Sequence, residues 1–267
     1  MNYIAIAKET VRITGQRAYE YDGETVQMPA ADFDSVVVIS PDAAQELLND
    51  PLPEPEQNYP CRIEVTTEDT FAAAKRLGEG TLCLNYANAH HAGGGFLLGA
   101  KAQEEALCRC STLYASITSS EANEMYHFNN THIRATDSDY MLLSQDVCVF
   151  RDERCELLAE PFCTSVITAP APNRRGAAVF TSKKTLAETF LHRALIILRT
   201  AVKYEYRNLV LGAWGCGAFG NDPVMVAECF RQALQTDNLS AYFATVCFAV
   251  YGSHDSSNYR AFKTVFG

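Results

Sequence analysis

Two adjacent acids follow a run of glycines, and this spacing is the feature of the chain that could do chemistry. The glycines are Gly93–Gly95, and seven residues later comes Gln103-Glu104-Glu105. A stretch of backbone without Cβ atoms can adopt positive φ and bring its N–H groups close to a ligand. Carboxyl groups beside such a loop can exchange protons with whatever is bound there. The spacing therefore predicts chemistry on a bound anion.

Each half of this pattern also has an ordinary explanation. Acids are common in the first turn of a helix because the helix dipole favours them there, and a glycine run can be a simple turn. The segment Thr81–Tyr86, before the glycines, is short and apolar, which suits a buried strand, and the segment after them has helical periodicity. Ligands of open α/β sheets gather at such strand-to-helix junctions. The combination favours a site.

A second glycine loop follows another apolar segment, Asn208–Leu211. It contains four glycines within Gly212–Asn221, and Asp222-Pro223 then supplies an N-cap and a first-turn proline for the next helix. Successive free N–H groups in such a loop form a nest for phosphate oxygens. The loop lacks the Lys-Ser/Thr ending of a P-loop and the spacing of a dinucleotide fingerprint. It predicts a phosphate site, with a tight turn as the alternative.

Composition excludes several classes of partner. The 267 residues are 48% hydrophobic and carry a formal net charge of −10, so we expect no broad basic face for duplex nucleic acid or an anionic membrane. The amino-terminal segment has no secretory signal pattern, and no stretch approaches the ~18 apolar residues of a membrane helix. Ten cysteines without a regular spacing indicate reduced thiols. These features predict a cytoplasmic protein.

No metal site is predicted. Cys108 and Cys110 lie two apart on a predicted helix and face different directions, and His90-His91 has no companion ligands at a usable spacing. The remaining thiols in apolar segments are expected to be core residues. They are Cys83, Cys148, Cys163, Cys229 and Cys247.

Strands alternating with helices predict a mixed α/β sandwich. The proline-rich segment 51–60 is the one plausible boundary, between an N-terminal extension of residues 1–60 packed on the core and a core of residues 61–267, within one compact unit. Residues 121–139 are polar and unperiodic, which indicates a long loop over the site. The predicted helices are 4–15, 68–77 capped by Thr67, 102–117, 185–204, 223–234 and 257–266, with a short one after Pro41; the predicted strands are 35–39, 62–65, 81–86, 141–143, 147–150, 165–168, 208–211 and 243–251.

Both loops resemble those of a known family. The run Leu84-Asn85-Tyr86-Ala87-Asn88, followed by the triple glycine and then Gln-Glu-Glu, resembles the signature of bacterial, macrodomain-type poly(ADP-ribose) glycohydrolases. The later segment Gly215–Asn221 resembles that family's diphosphate loop. The resemblance implies a macrodomain-like three-layer α/β/α sandwich with a mixed sheet and an N-terminal helical extension. ADP-ribose readers without catalytic activity usually lack the paired acids.

The resemblance also implies roles for individual residues. Glu105 would be the catalytic acid, and Glu104 would position the ribose hydroxyls at the scissile bond. Phe219 would pack against the distal ribose. The adenine contacts are not assigned by the motifs, with Tyr251 and Phe248 as candidates. The other implied substrate-binding residues are Asn88, Gly93, Gly94, Gly95, Gln103, Gly215, Cys216, Gly217, Ala218, Gly220 and Asn221.

The implied reaction is hydrolysis of a ribose–ribose O-glycosidic bond, which needs a proton for the departing oxygen and stabilisation of an oxocarbenium-like carbon. Protonated Glu105 would donate that proton, and its carboxylate would then activate water. We expect no cofactor, a monomer, poly(ADP-ribose) or an ADP-ribosylated protein as partner, and ADP-ribose as product. Cleavage from chain ends is expected, since the acidic protein has no long basic groove.

Three alternatives stay open at this point. One is an enzyme of the same fold that removes single ADP-ribose units from an acceptor, because the leaving group lies outside the two loops. Another is a module that binds ADP-ribose without cleaving it, although binding alone does not need two acids near an anionic ligand. A nicotinamide-dependent oxidoreductase is the third, and the glycine spacing argues against it.

Overall fold

A seven-stranded mixed sheet forms the centre of the computed structural model, which describes residues 1–55 and 60–267. The elements in chain order are α1 (Tyr3–Gln16), β1 (Ala18–Tyr21), β2 (Glu24–Gln27), β3 (Val37–Ile39), α2 (Pro41–Asn49), β4 (Arg62–Thr66), α3 (Thr70–Leu77), β5 (Thr81–Ala87), α4 (Gln103–Cys110), α5 (Leu113–Ile117), α6 (Asn123–Thr131), β6 (Met141–Arg151), β7 (Leu157–Pro170), α7 (Lys183–Lys203), β8 (Asn208–Leu211), α8 (Pro223–Gln235), β9 (Thr245–Ala249) and α9 (Ser257–Phe266). Short 3₁₀ turns cover Phe96–Leu98 and Thr236–Tyr242.

The strand order brings the two glycine loops to one edge of the sheet. The order is β3-β6-β7-β5-β8-β9-β4, and the five strands from β7 to β4 run parallel. β6 is antiparallel to both of its neighbours. Because β5 and β8 are parallel neighbours, the loops that follow their carboxyl ends lie side by side.

Helices cover both faces of the sheet, as the alternation of β5 shows. Leu82 and Leu84 point into a core with Phe190 and Phe230 of α7 and α8, whereas Cys83 points into a core on the opposite face that includes Leu107 of α4. Strands buried on both faces read as continuous apolar runs, and β5 has that character. The predicted mixed α/β sandwich is confirmed.

The amino-terminal residues contribute to the sheet and to the core that contains Cys83 and Leu107. β3 pairs with β6 at the sheet edge, and α1 packs against α4. The hairpin β1–β2, which turns at Asp22-Gly23, lies outside the predicted elements. The predicted boundary segment lies partly outside the described residues, at 56–59. The division at residue 60 therefore stays a prediction.

The predicted helix over 102–117 is wrong in its middle. α4 ends at Cys110, and Ser111 is extended with φ −148° and ψ 179° and forms a bridge to Val149 of β6. Thr112 strengthens this bridge, since its amide donates to the carbonyl of Cys148 and its Oγ1 accepts from the amide of Cys148. Pairing with a distant strand therefore overrides the local helical periodicity.

Three further expectations are corrected. Asp69, rather than Thr67, caps α3 by accepting from the amides of Phe71 and Ala72, so the helix begins at Thr70. The segment 121–139 is not an irregular loop throughout, because it contains α6. Cys163 is exposed, since its stretch of β7 precedes the residues that pair with β5.

Among the described residues, no helix combines the length and the apolar character that crossing a bilayer would require.

Candidate active site

Gln103 fixes the first turn of α4 against the sheet. Its Oε1 accepts from the amide of Tyr86 at 2.9 Å, and its Nε2 donates to the carbonyl of Leu84 at 2.8 Å and to Oγ1 of Thr70 at 3.1 Å. The side chain thus bonds to β5 and α3 at once. This anchoring sets where the two following carboxyl groups point.

Glu104 is 3% exposed, and donors from β5 and the loop after it hold its carboxyl group. The backbone amide of Asn88 donates to Oε2 at 2.8 Å, and Nδ2 of Asn85 donates to Oε1 at 3.3 Å. Burial raises the pKa of Glu104 to about 8 and neighbouring Glu105 adds to the rise, although hydrogen bonds from Asn88, Asn85 and Gly93 oppose it. The neutral form of Glu104 is therefore favoured at neutral pH.

Glu105 holds one oxygen in the protein and leaves the other unpaired. The amide of Gly95 donates to Oε1 at 2.9 Å. Oε2 is buried and has no hydrogen-bond partner among the described residues. A buried acceptor without a partner costs about 1–3 kcal/mol, and more when charged. A ligand group that reached Oε2 would relieve this cost.

The glycine loop, Asn88–Gly95, passes directly in front of these carboxyl groups. Gly94 has φ +55°, and a Cβ built there would lie 2.6 Å from Oε1 of Glu105. At Gly93 a Cβ would come within 2.9 Å of the Tyr114 ring, and at Gly95 within 2.7 Å of the Cβ of Ala100. Side chains would be blocked at each of the three positions.

Asn88 shapes the glycine loop from its start. Its Oδ1 accepts from the amides of His90 at 2.9 Å and His91 at 3.1 Å, which is an Asx turn. Its own amide bonds to Glu104. The amide oxygen of Asn88 is thus engaged within the loop, and its contact with a substrate ribose stays a prediction.

His90 links the glycine loop to the end of α6 and to the segment that follows it. Its ring nitrogens lie 3.2 Å from Oδ1 of Asn130 and 3.1 Å from Oδ1 of Asp137, and Nδ2 of Asn130 donates to the His90 carbonyl at 3.0 Å. Burial raises the pKa of Asp137, while His90 and Arg193 oppose that rise. We call His90, Asn130 and Asp137 the loop clasp.

Arg193 of α7 binds the segment that contains Asp137 of the loop clasp. It is buried, and it donates to the carbonyl of Thr136 at 2.6 Å, to Oδ1 of Asp139 at 2.8 Å and to the carbonyl of Pro170 at 3.0 Å. Although burial opposes ionisation, hydrogen bonding to His192 and the Arg193 charge lower the pKa of Asp139 to about 2. The segment 132–139 is therefore fixed to both the loop and the sheet.

The second loop is closed by Asn221. Its Nδ2 donates to the carbonyl of Pro172 at 2.8 Å and to that of Gly215 at 3.0 Å. Gly215 has φ +71°, and a Cβ there would lie 2.8 Å from this same Nδ2. Trp214 anchors the loop through Nε1, which donates to the carbonyl of Ala169 at 3.0 Å. Asn221 therefore shapes the loop, and a direct contact with substrate stays a prediction.

A cavity of about 400 Å³ joins the second loop to the start of α4. Gln103 lines it on one side, and its other walls include Tyr86, Val250 and Tyr251. Predicted site residues from the second loop that line it are Gly215, Gly217, Ala218 and Phe219. Those outside its lining are Asn88, Gly93, Gly94, Gly95, Glu104, Glu105, Cys216, Gly220 and Asn221. Glu104 and Glu105 follow Gln103 in the first turn of α4, so they lie next to a residue of the cavity wall.

Two aromatic candidates for adenine contact behave differently. Tyr251 is 69% exposed and lines the cavity. Phe248 is fully buried and stacks against Phe266 with ring centroids 4.2 Å apart. The suggestion that Phe248 contacts the adenine is therefore wrong, because its ring belongs to the core.

Asn85 contacts Glu104, although the motifs in the sequence assign it no role. It is fully buried in β5, where its Nδ2 reaches Glu104 and Oγ1 of Thr168 and its Oδ1 has no partner among the described residues. A polar amide in an otherwise apolar strand is the signal that could have revealed it. Within the described part of the chain, no group of three or more His, Cys, Asp or Glu residues is arranged to hold a metal ion.

Comparison with known proteins matches this geometry to one family. The family model described as microbial-type PARG, catalytic domain, matches residues 7–152. The crystal structure of poly(ADP-ribose) glycohydrolase (PARG) from Thermomonospora curvata is 38% identical, with a TM-score of 0.90, and the match covers 99% of each chain. A structure of that enzyme bound to the inhibitor ADP-HPD is 37% identical with a TM-score of 0.86, again over 99% of both chains.

The PARG from Deinococcus radiodurans in complex with ADP-ribose is 37% identical, with a TM-score of 0.80 over 90% of this chain and 98% of that one. A search of curated proteins found no match. The family model spans more than half of the 267 residues, and the solved relatives align with nearly all of them. The chain therefore belongs to the microbial-type PARG catalytic domain family.

Proposed function

We propose that this protein hydrolyses the ribose–ribose O-glycosidic bond of poly(ADP-ribose) and releases ADP-ribose from chain ends. The observation that carries the proposal is the buried Oε2 of Glu105, which no described residue pairs with. The carboxyl group lies against Gly94, where a side chain would not fit. Relatives of known structure bind ADP-ribose and the inhibitor ADP-HPD. A pure binding module would not need this oxygen.

Glu105 provides the proton transfer. The amide of Gly95 holds Oε1 of Glu105 and so fixes the plane of the carboxyl group. Oε2 is then the atom that gives a proton to the departing ribose oxygen as the glycosidic C–O bond breaks. The same oxygen then takes a proton from water as the water attacks the oxocarbenium-like carbon. The shortened polymer leaves with a hydroxyl group on the departing ribose oxygen, and the released ADP-ribose carries a hydroxyl group on its anomeric carbon.

Glu104 has a different task, because its environment favours the neutral acid. With both oxygens held by Asn85 and Asn88, it adds little negative charge beside the substrate diphosphate and positions the ribose hydroxyls. The second loop supplies the diphosphate site through its backbone, with Gly217 and Ala218 on the cavity surface. Phe219, also on that surface, orients the distal ribose.

The proposal is tested with labelled poly(ADP-ribose) and Glu105→Gln. We expect the variant to retain ADP-ribose affinity and to lose release of ADP-ribose by at least about 10³-fold, because the amide keeps the shape but carries no transferable acid proton. Glu153→Gln changes an acid that lines the cavity, whereas Glu105 does not line it; this variant is the control and should retain turnover. Unchanged turnover in Glu105→Gln would remove Glu105 from its role.

The closest alternative activity, removal of single ADP-ribose units from an acceptor protein, is separated by comparing polymer with a mono-ADP-ribosylated protein. We expect faster release from the polymer. We also propose a monomeric, cytoplasmic enzyme. The ten free thiols fit a reducing compartment. Sedimentation at working concentration tests the oligomeric state, and fractionation of cells tests the compartment.

A further inference from the structure

Two thiols meet in the wall of the substrate cavity, at the end of α4 that is opposite to the acids. Cys110 is the last residue of α4, and Cys155 lies in the turn that joins β6 to β7. Both residues line the same cavity of about 400 Å³ as Gln103 and Phe219, and they are 6% and 9% exposed. The proposed hydrolysis assigns no task to either sulfur atom.

Contacts of the β6–β7 turn hold Cys155 against the end of α4. The amide of Cys155 donates to the carbonyl of Asp152 at 2.9 Å, and Nη1 of Arg151 donates to the carbonyl of Cys155 at 2.9 Å. Sγ of Cys110 lies 3.1 Å from the same carbonyl oxygen of Asp152. The two thiols are hydrogen-bonded to each other. The fold therefore keeps the two sulfur atoms in contact, which a disulfide between them requires.

Cys155 has the surroundings of a reactive thiol. Arg109, which also lines the cavity, hydrogen-bonds to it, is 3% exposed, and has an Nε without a partner among the described residues. The hydrogen bond with Cys110, and then the charges of Arg109 and Arg151, lower the pKa of Cys155 although burial opposes its ionisation. The same hydrogen bond and burial raise the pKa of Cys110. Because the thiolate is the nucleophilic form of cysteine, Cys155 is the attacking thiol of this pair.

A second pair of thiols provides an internal comparison. Cys148 and Cys163 lie opposite each other in β6 and β7 and are also hydrogen-bonded. The charge of Asp146 opposes ionisation of Cys163, and neither thiol of this pair lines the substrate cavity. Contact between sulfur atoms is thus common to both pairs, whereas the neighbouring arginines and the cavity distinguish Cys155.

We propose that Cys155 is a site of oxidation by hydroperoxides, that Cys110 resolves the product into a disulfide, and that this disulfide weakens binding of ADP-ribose in the cavity. The thiolate sulfur attacks one oxygen of the hydroperoxide and becomes a sulfenic acid; the O–O bond breaks, and water or an alcohol leaves after taking up a proton. The sulfur of Cys110 then displaces the hydroxyl group, which leaves as water with the Cys110 proton. Two electrons pass from the thiols to the hydroperoxide.

Formation of the disulfide changes the cavity wall. The sulfur atoms approach from hydrogen-bonding contact to about 2.05 Å, so the β6–β7 turn must move relative to α4. The disulfide also removes the thiolate beside Arg109, which leaves a buried guanidinium with one partner fewer. Gln103 still anchors the first turn of α4 to β5. We therefore expect oxidation to raise KM and to leave kcat nearly unchanged, and the effect on KM rests on the proposed hydrolysis of the polymer.

The first test treats the purified protein with hydrogen peroxide and maps its peptides without reductant. We expect linked peptides that contain Cys110 and Cys155, which dithiothreitol separates. Cys155→Ser should form no such link, and Cys110→Ser should keep a sulfenic acid at Cys155 that dimedone labels. Cys163→Ser is the matched control and should form the Cys110–Cys155 disulfide as fast as the unmodified protein.

The second test connects the disulfide to the cavity. With ADP-ribose at about ten times its Kd, only about one molecule in eleven is free, so disulfide formation should slow about tenfold. Calorimetry should show that the oxidised protein binds ADP-ribose at least about fivefold more weakly. On labelled polymer, KM should rise by a similar factor while kcat stays within about twofold. Peroxide-treated Cys155→Ser should keep the Kd of its untreated form.

Other results would overturn the inference. Absence of the Cys110–Cys155 disulfide would show that Cys155 is not oxidised in this way, and equal Kd values for the oxidised and reduced proteins would separate the thiols from the ligand. The same loss of affinity in peroxide-treated Cys155→Ser would assign the effect to another group. If the reduced protein binds ADP-ribose but releases none from polymer, the proposed function fails, whereas peptide mapping and the two Kd values still decide this inference.

Discussion

Gly94 and Glu105 are fitted to one another at closer range than any side chain on Gly94 would allow. A Cβ built on Gly94 would lie 2.6 Å from Oε1 of Glu105 and 3.2 Å from Oε2 of Glu104. The backbone there has φ +55°, a conformation that only glycine adopts readily. The glycine run is thus required by the position of the acids, and not by the turn alone.

Gly94→Ala should therefore inactivate the enzyme. We expect release of ADP-ribose to fall by at least about 100-fold, because Glu105 must move away from its amide donor, with the left-handed backbone adding about 1–2 kcal/mol of strain. Activity on labelled polymer and thermal unfolding are the measurements. Gly15→Ala, in the last turn of α1 where a Cβ meets nothing within 4 Å, is the control; it should leave activity unchanged and raise the unfolding temperature slightly, because alanine favours a helix more than glycine does. Full turnover in Gly94→Ala would contradict the fitted arrangement.

Glu104→Gln should alter the pH dependence of stability. The pKa of Glu104 is raised by burial from an ordinary 4.5 to about 8, so between these values the folded protein keeps a proton that the unfolded chain releases. This group's contribution to the unfolding free energy is complete below pH 4.5 and is lost as pH rises towards 8, by at most about 1.4 kcal/mol per pH unit. A glutamine does not titrate.

The measurement is urea denaturation of both proteins at several pH values from 5 to 8. Relative to the unmodified protein, Glu104→Gln should gain stability steadily as the pH rises across this range. Two curves that stay parallel from pH 5 to 8 would show that Glu104 ionises in the folded protein as it does in the unfolded chain.

The central fold was predictable because its signals are local. β8 and α9 have the predicted bounds, Asn208–Leu211 and Ser257–Phe266, since an apolar run and a capped amphipathic stripe each carry their own period. The break at Ser111 was not predictable, because it depends on pairing with Val149 of a distant strand. α6 was missed because few of its residues are buried, and its polar face reads as a loop.

The site divides in the same way. The glycine run, the acids and their strand-to-helix junction are contiguous in sequence, so their association was predictable. The residues that hold them are not contiguous. Asp137 reaches His90 from 47 residues away, and Arg193 fixes Thr136 from 57 residues away. Such contacts exist only once the sheet has brought β5, β7 and α7 together.

Substitutions at Gln103 should show how much its acceptor oxygen and its donor nitrogen each contribute to stability. Gln103→Glu keeps an acceptor for the amide of Tyr86 but sets a carboxylate oxygen against the carbonyl of Leu84, where Nε2 now donates. We expect it to lower the unfolding free energy by about 1–3 kcal/mol and to reduce kcat. Gln103→Ala should destabilise the protein as well, by leaving the Tyr86 amide unpaired. Denaturation and turnover are measured together, and a fully stable Gln103→Glu would argue against the anchor.

His90 and His91 are neighbours in the glycine loop, but only the His90 ring joins the loop clasp. His90→Ala removes the contacts of its ring nitrogens with Asn130 and Asp137, so we expect faster hydrogen exchange at the amides of residues 93–95 and a fall in kcat of about tenfold. His91→Ala, which removes an exposed ring at the next position, should leave that exchange unchanged and is the matched control. His90→Gln, which can still bond to one of the two partners, should recover part of the protection. Equal exchange in His90→Ala and His91→Ala would mean that the glycine loop keeps its shape without the clasp.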